Sequence, residues 1–564
     1  MKFSEFPYER PNLDAVKVTF DELLSQFVNA TTFQEQDRAM AEINKLFNTY
    51  STQAQLVYIR HSINTNDEFY KAEQDYMDEI DPLFQEYIDT YYKALVTSAF
   101  RTELEQKWGS HLFALAEMKL KTFHPDIIAD LQQENKLTTA YAQLIASAKI
   151  PFEGEERTLS QLAPFGLSKD RDMRQRAGEA RYGFLAEQGE ELDRIYDELV
   201  KIRTTIAHKL GYKTFTALGY ARMGRTDYGP EQVANFRKQV QEYIVPAAAR
   251  LKERQRERLG LERLSYFDQE YSFPTGNPTP KGDPEFIIQN GAQMYKELSP
   301  EINEFYEFMM EHELMDLLSK KGKMGGGYCT FINDHQSPFI FANFNGTSGD
   351  IDVLTHEVGH AFQVYESRHF EVPEYTWPTS EAAEIHSMSM EFFTWPWMEL
   401  FFKEDTEKYK FDHLSSGLIF IPYGVAVDEF QHIIYENPDF TPAERKAAWK
   451  SVEEKYLPFW DQSDNLYLQS GAYWQKQGHI YESPFYYIDY TLAQICAFQF
   501  WKRMNEDQKP AWDDYLQLCR AGGSKPFTEL VKVGGLTSPF EDGCVASVIG
   551  NIEDWLNKVD DKKL

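Results

Sequence analysis

The sequence has little cysteine, no excess of positive charge and no long apolar segment. It contains four cysteines in 564 residues, and none of them forms a Cys-x-x-Cys pair. So few thiols exclude a disulfide-rich scaffold and favour free, mostly buried cysteines in a reducing compartment. The formal net charge of −31 argues against nucleic acid or an anionic membrane surface as a partner, because both attract basic proteins.

A membrane-spanning segment is also missing from the sequence. The longest nearly apolar run, LIFIPYGVAV at 418–427, has about half of the ~20 residues that a spanning helix needs, and Pro422 and Gly424 interrupt it. The first residues, MKFSEFPYERPN, lack the apolar core of a secretory signal. We therefore expect a cytoplasmic protein with no membrane association.

Aromatic residues and helical periodicity are abundant. Aromatic side chains make up 15% of the chain, which suits a large globular core and excludes a disordered acidic chain. Apolar residues recur at helical spacing over 66–100, 190–210 and 230–260, and Gly229-Pro230 is a typical helix start. A break at 151–168 separates an N-terminal helical lobe, residues 1–165, from the rest of the chain, residues 166–564.

One segment departs from the helical pattern. Three glycines at 325–327 precede β-prone aromatic residues, and 339–345 has the composition of a strand, which we expect at the edge of a small sheet. Gly346, Gly349 and Asp350 then provide turn and helix-cap residues. A small sheet should therefore lie directly before the next helix.

That helix carries an H-E-x-x-H motif, His356-Glu357-Val358-Gly359-His360. Residues four apart lie on one face of a helix, so His356 and His360 can each offer a ring nitrogen to one Zn²⁺. Glu357 lies beside the first ligand, where its carboxylate can take a proton from a water molecule. The motif predicts a zinc site with a glutamate general base.

A third protein ligand is expected on another helix, with water in the fourth position. Glu384 follows His360 by 24 residues and lies in an unusually apolar helix, where a buried acid needs a partner. We therefore assign Glu384 as the third ligand. Glu391, two turns later, is expected to hold a histidine ligand in orientation, and Asp352 is a weaker candidate for that role. His386 should face away from the metal.

The segment from Gly346 to Glu391, with THEVGHAFQ and SEAAEIHSMSMEFF, resembles the thimet oligopeptidase-like zinc metallopeptidases, most closely the oligoendopeptidase F and Pz-peptidase branch. The resemblance covers roughly residues 165–500. It implies a mainly α fold of the gluzincin type, with two helical lobes around a deep channel and a small sheet beside the motif helix. The positions that match the family's motif one by one are His356, Glu357, His360, Glu384 and Glu391.

The resemblance also implies roles for residues further along the chain. In the family, a histidine followed by a tyrosine cluster faces the zinc, and here these residues are His479, Tyr486, Tyr487 and Tyr490. We assign His479 and Tyr490 to hydrogen bonding of the substrate or transition state, with Tyr486 ranking third and Tyr487 as an alternative to Tyr490. The predicted edge strand, FIFANF at 339–344, would pair with an extended peptide.

The sequence thus predicts a zinc-dependent endopeptidase with one Zn²⁺ per chain that hydrolyses short, unstructured oligopeptides. A metallocarboxypeptidase or peptidyl-dipeptidase of similar helical fold is the alternative, although no cation for a substrate's C-terminal carboxylate can be identified by position. A non-catalytic peptide-binding protein with a relic metal site is a further rival, which the intact motif argues against. Subsite preference and oligomeric state are not predicted.

Overall fold

Helices form most of the chain in the computed structural model, which describes residues 1–320 and 322–564. The mainly α prediction is therefore confirmed. The helices of the first half are α1 (Leu13–Val28), α2 (Phe33–Ile63), α3 (Glu68–Val96), α4 (Arg101–Trp108), α5 (Ser110–Leu120), α6 (Ile128–Ala146), α7 (Leu159–Gly166), α8 (Arg171–Glu187), α9 (Gly189–Lys209), α10 (Phe215–Arg222), α11 (Pro230–Gln239), α12 (Val245–Arg258), α13 (Pro284–Leu298) and α14 (Pro300–Glu311).

The second half continues in the same way after a short sheet. Its helices are α15 (Gly349–Ser367), α16 (Ser380–Phe393), α17 (Glu399–Phe402), α18 (Thr406–Glu436), α19 (Pro442–Tyr456), α20 (Leu466–Gln469), α21 (Gly478–Glu482), α22 (Tyr487–Glu506), α23 (Gln508–Ala521), α24 (Phe527–Val533) and α25 (Cys544–Lys558). The helices predicted over 66–100, 190–210 and 230–260 correspond to α3, α9 and the pair α11–α12.

Two small sheets interrupt the helices. One is a hairpin of β1 (Ile150–Phe152) and β2 (Glu155–Arg157). The other contains β3 (Met315–Leu318), β4 (Tyr328–Ile332) and β5 (Ser337–Phe344) in the order β3-β5-β4, with β3 parallel and β4 antiparallel to β5. The second sheet packs against α15, as the sequence predicted.

The prediction that residues 339–345 form an edge strand is wrong. These residues belong to β5, which is the central strand of its sheet. Both of its edges pair, with β3 on one side and β4 on the other. The run FIFANF is almost wholly buried, which is what a strand enclosed on both faces requires. Residues 339–344 are therefore not available to pair with a peptide, and β4 is an outer strand instead.

The start of α15 is tied directly to the end of β5. The Asp350 carboxylate accepts hydrogen bonds from the backbone nitrogens of Asn345 (2.8 Å) and Gly346 (2.7 Å). Gly346 has φ = +85°, a left-handed conformation that favours glycine. This turn fixes where the motif helix begins relative to the sheet.

Helix α16 packs against both α15 and α22 in the interior of the molecule. The crossing of α15 and α16 is close at Gly359, where a Cβ atom would lie 2.6 Å from the backbone oxygen of His386. Only glycine allows this approach, and the approach brings the two helices that carry the motif and Glu384 together. Three of the four cysteines are buried and all are free, as predicted.

No helix among residues 1–320 and 322–564 is both long and apolar enough to span a bilayer. The N-terminal helices α1 to α5 share buried side chains such as Phe27, Ile43 and Phe113 in one hydrophobic cluster, which also includes Val372 and Tyr375 from the segment between α15 and α16. The boundary between residues 165 and 166 stays a prediction.

Candidate active site

Three potential metal-ligating side chains converge between α15 and α16. Glu384 Oε2 lies 3.2 Å from His356 Nε2 and 3.5 Å from His360 Nε2. Their ligand atoms all lie within 4.8 Å of one another, and Glu384 is 4% exposed. Burial opposes ionisation of Glu384, but the imidazoles of His360 and His356 hold the pKa of its carboxyl well below its usual range.

A chain of hydrogen bonds that begins at Nδ1 orients the ring of His356. Its Nδ1 donates to Glu391 Oε1 (2.7 Å), and His413 Nε2 donates to Glu391 Oε2 (2.8 Å). Trp395 Nε1 in turn donates to His413 Nδ1 (3.1 Å), so the proton of His413 is on Nε2. Because Nδ1 of His356 carries a hydrogen, its Nε2 presents a lone pair toward Glu384 and His360.

Glu357 lies on the same helix with an unsatisfied carboxylate oxygen. Its side chain is 7% exposed, and Oε2 has no hydrogen-bond partner among the described residues. Burial raises the pKa of this carboxyl, which suits a group that must take up and release a proton near neutral pH. The backbone of Gly327 passes close by, since a Cβ there would lie 3.5 Å from Glu357 Oε1.

His479 and three tyrosines come from α21, α22 and the turn between them. His479, Tyr487 and Tyr490 line a cavity of about 420 Å³ together with His356 and Glu391, and we call it the site cavity. The Tyr490 hydroxyl lies 3.4 Å from His479 Nε2. The Tyr486 hydroxyl donates to Glu384 Oε1 (2.8 Å).

The proton of His479 is also fixed by its neighbours. Tyr423 donates to Gln477 Oε1 (2.9 Å), and Gln477 Nε2 donates to His479 Nδ1 (2.8 Å). With Nδ1 accepting, the hydrogen of the neutral imidazole is on Nε2, on the side of Tyr490. Burial lowers the pKa of His479, so the ring is a neutral donor at neutral pH.

The turn that carries these tyrosines is anchored by a buried ion pair. Arg225 and Asp489 are 2.7 Å apart, and both side chains are fully buried. Arg225 also donates to the backbone oxygen of Phe485 (2.5 Å), a residue with φ = +67°. Phe485 N donates to Gln431 Oε1 (2.9 Å), so the strained residue before Tyr486 is held on both sides.

Comparison with known proteins identifies the family of this chain. Residues 166–548 match peptidase family M3, and residues 3–123 match the peptidase M3 N-terminal domain. The chain belongs to peptidase family M3. The family resemblance read from the motif is therefore confirmed.

Solved structures of similar proteins include that of Pz peptidase A with an inhibitor, which is 66% identical to this M3 peptidase. It covers 100% of each chain with a TM-score of 0.96. A Bacillus anthracis protein assigned to oligoendopeptidase F is 59% identical, with 100% of this chain and 99% of that chain covered and a TM-score of 0.92. Among curated relatives, oligopeptidase PepF of Bacillus subtilis is 24% identical over 47% of this chain, and that match spans 41% of the relative's own length.

The donor set of this M3 peptidase fits a divalent cation of the zinc type. Two imidazole nitrogens and one carboxylate oxygen are the ligands of a catalytic zinc site that leaves a fourth position open. Three carboxylates, Glu357, Glu384 and Glu391, are buried or nearly so around three imidazoles, those of His356, His360 and His413. Neutral imidazoles leave this negative charge unbalanced, so the cluster needs a cation. The unpaired Glu357 Oε2 adds an acceptor for a water molecule beside this position.

The structure brings the candidate residues of the sequence into one region of the M3 peptidase. Asp352 lines the site cavity but accepts a hydrogen bond from Tyr409 (2.6 Å) rather than from a histidine ligand. His386 is fully buried and is not among the three residues whose ligand atoms converge.

Sequence reasoning missed His413, Trp395 and Gln477. His413 is 22 residues from Glu391 and lies on a different helix, α18, so no local spacing connects the two. Trp395 closely follows Glu391, and Gln477 closely precedes His479. Their roles depend on the direction of their side chains, which the spacing does not give. Only the motif and the apolar context of Glu384 give a local signal.

Proposed function

We propose that this M3 peptidase is a zinc-dependent endopeptidase that hydrolyses internal bonds of short, unstructured oligopeptides. The observation that carries the proposal is the convergence of His356, His360 and Glu384, with Glu357 on the same helix and His479 and Tyr490 on facing elements. These residues supply the ligands, the base and the hydrogen-bond donors that peptide hydrolysis requires.

His356, His360 and Glu384 would hold the ion. When bound, zinc acts as a Lewis acid that polarises the scissile carbonyl and lowers the pKa of a water molecule. Glu357 accepts one proton of the attacking water molecule while the oxygen of that water bonds to the carbonyl carbon. Glu357 then delivers that proton to the amide nitrogen, the carbon–nitrogen bond breaks, and a carboxylate and an amine are released.

The hydrogen-bond donors across the site cavity act on the carbonyl oxygen of the scissile bond. Negative charge develops there as the water adds, and preorganised hydrogen-bond donors stabilise it. Tyr490 and His479 supply an O–H and an N–H group at the site cavity, and burial raises the pKa of Tyr490, so its hydroxyl keeps its proton. Tyr486 contacts Glu384 and is the third candidate.

The setting of the site supports short peptides as substrates. Part of the site is buried between helices, and the site cavity of about 420 Å³ admits an extended segment rather than a folded domain. Free cysteines favour a cytoplasmic location. The proposal includes a catalytic unit of residues 166–564 preceded by the helical lobe of residues 1–165.

The decisive experiment combines metal analysis with product mapping. Peptides of about ten residues, acetylated at the N-terminus and amidated at the C-terminus, are incubated with zinc-loaded protein, and the products are identified by mass spectrometry. We expect cleavage at internal bonds and about one zinc per chain. A protein that trims only peptides with a free C-terminus would instead be a carboxypeptidase or peptidyl-dipeptidase, and tight binding without cleavage would indicate a relic site.

A further inference from the structure

The site cavity extends beyond the metal cluster into the interior of the protein. Met388, Phe392 and Gln494 are the most deeply buried of its lining residues. Met388 and Phe392 follow the ligand Glu384 by one and two turns of α16. Gln494 follows Tyr490 by one turn of α22. A substrate side chain beside the metal cluster can therefore reach inward by about one helical turn, ~5.4 Å.

The inner end of the site cavity is the part formed by Met388, Phe392, Gln494 and Gly417 of α18. The ring of Phe498 packs behind it, with its centroid 5.7 Å from that of Phe392. Gln494 is 7% exposed, and it brings a polar amide into these apolar surroundings. Its side chain makes no hydrogen bond within residues 1–320 and 322–564. The inner end therefore presents a buried polar group that has no partner there.

A second glutamine on the same helix shows how a buried amide is ordinarily accommodated. Gln499 is 8% exposed, and both ends of its amide are bonded to the backbone of Thr537. Its Nε2 donates to Thr537 O (2.9 Å), and its Oε1 accepts from Thr537 N (2.9 Å). Leaving such a group unpaired costs free energy, so the contrast indicates that the partner of Gln494 enters from the site cavity.

Gly417 keeps the space beside this amide open. A Cβ atom at position 417 would lie 3.4 Å from Gln494 Nε2, so any side chain on α18 at this point would cover the amide. Glycine inside a helix is less favourable than alanine, and its presence here leaves room where the two helices face each other.

The charged groups of the site cavity are already bonded to other residues. Both oxygens of Glu391 accept hydrogen bonds, one from His356 and one from His413. Asp352 accepts a hydrogen bond from Tyr409. The four residues of the inner end are uncharged, so an ionised group buried there would lack a counter-ion. A neutral group that both donates and accepts is the better match for the amide of Gln494.

We propose that the inner end is a subsite for a substrate side chain that ends in a carboxamide, and that Gln494 selects it. In a peptide this side chain is glutamine, at a residue next to the scissile bond. This inference rests on the proposed peptidase function. The methylene groups of glutamine would contact Met388 and Phe392, and its amide would exchange hydrogen bonds with Gln494. An apolar side chain of the same length would leave Gln494 buried and unpaired, which is the basis of the selection.

The test varies one residue in a peptide of about ten residues that otherwise contains alanine and serine and is blocked at both ends. Glutamine, methionine and lysine are compared at this position, because their side chains are similarly long and differ at the tip. In the unmodified protein we expect cleavage next to the glutamine, with a kcat/KM about tenfold higher than for methionine, the lower range for leaving a buried polar group unpaired. Moving the glutamine by one residue should move the cleaved bond by one residue.

Two results with the unmodified protein would overturn the proposal. Equal kcat/KM values for the glutamine and methionine peptides would mean that Gln494 does not select the side chain. A preference for lysine would assign recognition to the carboxylates of Asp352 and Glu391 rather than to the amide.

Substitutions at the inner end test the role of Gln494 directly. Gln494→Met makes the inner end apolar, so the ratio of kcat/KM for glutamine over methionine should fall to one or below. Gly417→Ala places a methyl group at van der Waals distance from the amide and should lower the ratio to about threefold or less. Gln175→Met is the matched control, because this exposed glutamine on α8 bonds only to Glu179 and its loss should leave the ratio unchanged. A Gln494→Met protein that keeps the tenfold ratio would contradict the proposal.

Direct binding separates this inference from the proposed function. Calorimetry with the zinc-loaded Glu357→Gln protein should show about tenfold tighter binding of the glutamine peptide than of the methionine peptide, whether or not any peptide is cleaved. If the unmodified protein hydrolyses no peptide yet this preference is present, the proposed function fails and the carboxamide subsite stands. If peptides are cleaved at internal bonds with no preference in binding or turnover, the proposed function stands and the subsite is refuted.

Discussion

The two sides of the site cavity are built differently. The ligand wall, formed by His356, His360 and Glu384 on α15 and α16, combines a buried glutamate with two partly buried histidines. His356 is held by a hydrogen bond of 2.7 Å to Glu391, which in turn accepts one of 2.8 Å from His413. The donor wall, formed by His479, Tyr486 and Tyr490, is half-buried. The hydroxyl of Tyr490 makes a long contact of 3.4 Å with His479 Nε2.

The difference follows from what each wall must do. Ligands of a metal ion have to be in place before the ion arrives, so close helix packing at Gly359 and second hydrogen bonds hold them. Donors to a developing charge must be near the substrate but free to bond to it, so a weak contact in the resting state is an advantage. The donor side chains are held in place indirectly. The buried Arg225–Asp489 ion pair anchors the turn that carries them.

The largest effect is expected from a change in the ligand wall. Glu384→Gln replaces a charged ligand by a neutral amide, so we expect loss of bound metal and of essentially all hydrolysis. Elemental analysis and peptide turnover measure the two effects. Glu404→Gln, an equal change at a side chain that is 75% exposed, should alter neither. A Glu384→Gln protein with full metal content and activity would contradict the ligand assignment.

The next effect separates chemistry from metal binding within the same wall. Glu357→Gln removes the proton acceptor but no proposed ligand, so turnover should fall by roughly 10²–10⁴-fold while metal content stays unchanged. Turnover under saturating peptide and metal analysis of the same sample test this expectation. Loss of metal from this variant would mean that Glu357 belongs to the ligand set.

The donor wall should respond differently. Tyr490→Phe removes one O–H donor, and we expect kcat to fall by about 10²–10³-fold with little change in KM. Tyr487→Phe is the matched comparison, because both rings line the site cavity on the first turn of α22. A larger loss for Tyr487→Phe would assign the oxyanion role to Tyr487 and contradict the assignment to Tyr490.

The sequence predicts the ligand wall better than the rest of the molecule for a physical reason. His356 and His360 are one helical turn apart, and an acid such as Glu384 in an apolar helix must have a partner, so both signals are local. The placement of β5 in the centre of its sheet depends on β3, whose four residues carry no clear pattern. The bond from His413 to Glu391 depends on how α18 packs, which no local spacing encodes.

The smallest effect concerns the outermost residue of the brace behind the ligand wall. Trp395→Phe keeps an aromatic ring but removes the N–H that fixes the proton of His413 on Nε2, so the hydrogen bond from His413 to Glu391 loses its fixed direction. We expect metal affinity to fall by about tenfold, the low end for groups that orient a ligand, with turnover unchanged at saturating metal. Titration against a competing chelator measures this affinity.

The matched control for this change lies two residues further on. Trp397 donates its indole N–H to Glu297 (2.8 Å) at an exposed position, so Trp397→Phe loses an equivalent hydrogen bond without touching the brace. If both variants bind metal as tightly as the unmodified protein, the brace does not extend beyond His413. If both weaken it equally, the effect comes from packing, and the ligand wall depends less on directed hydrogen bonds than its geometry indicates.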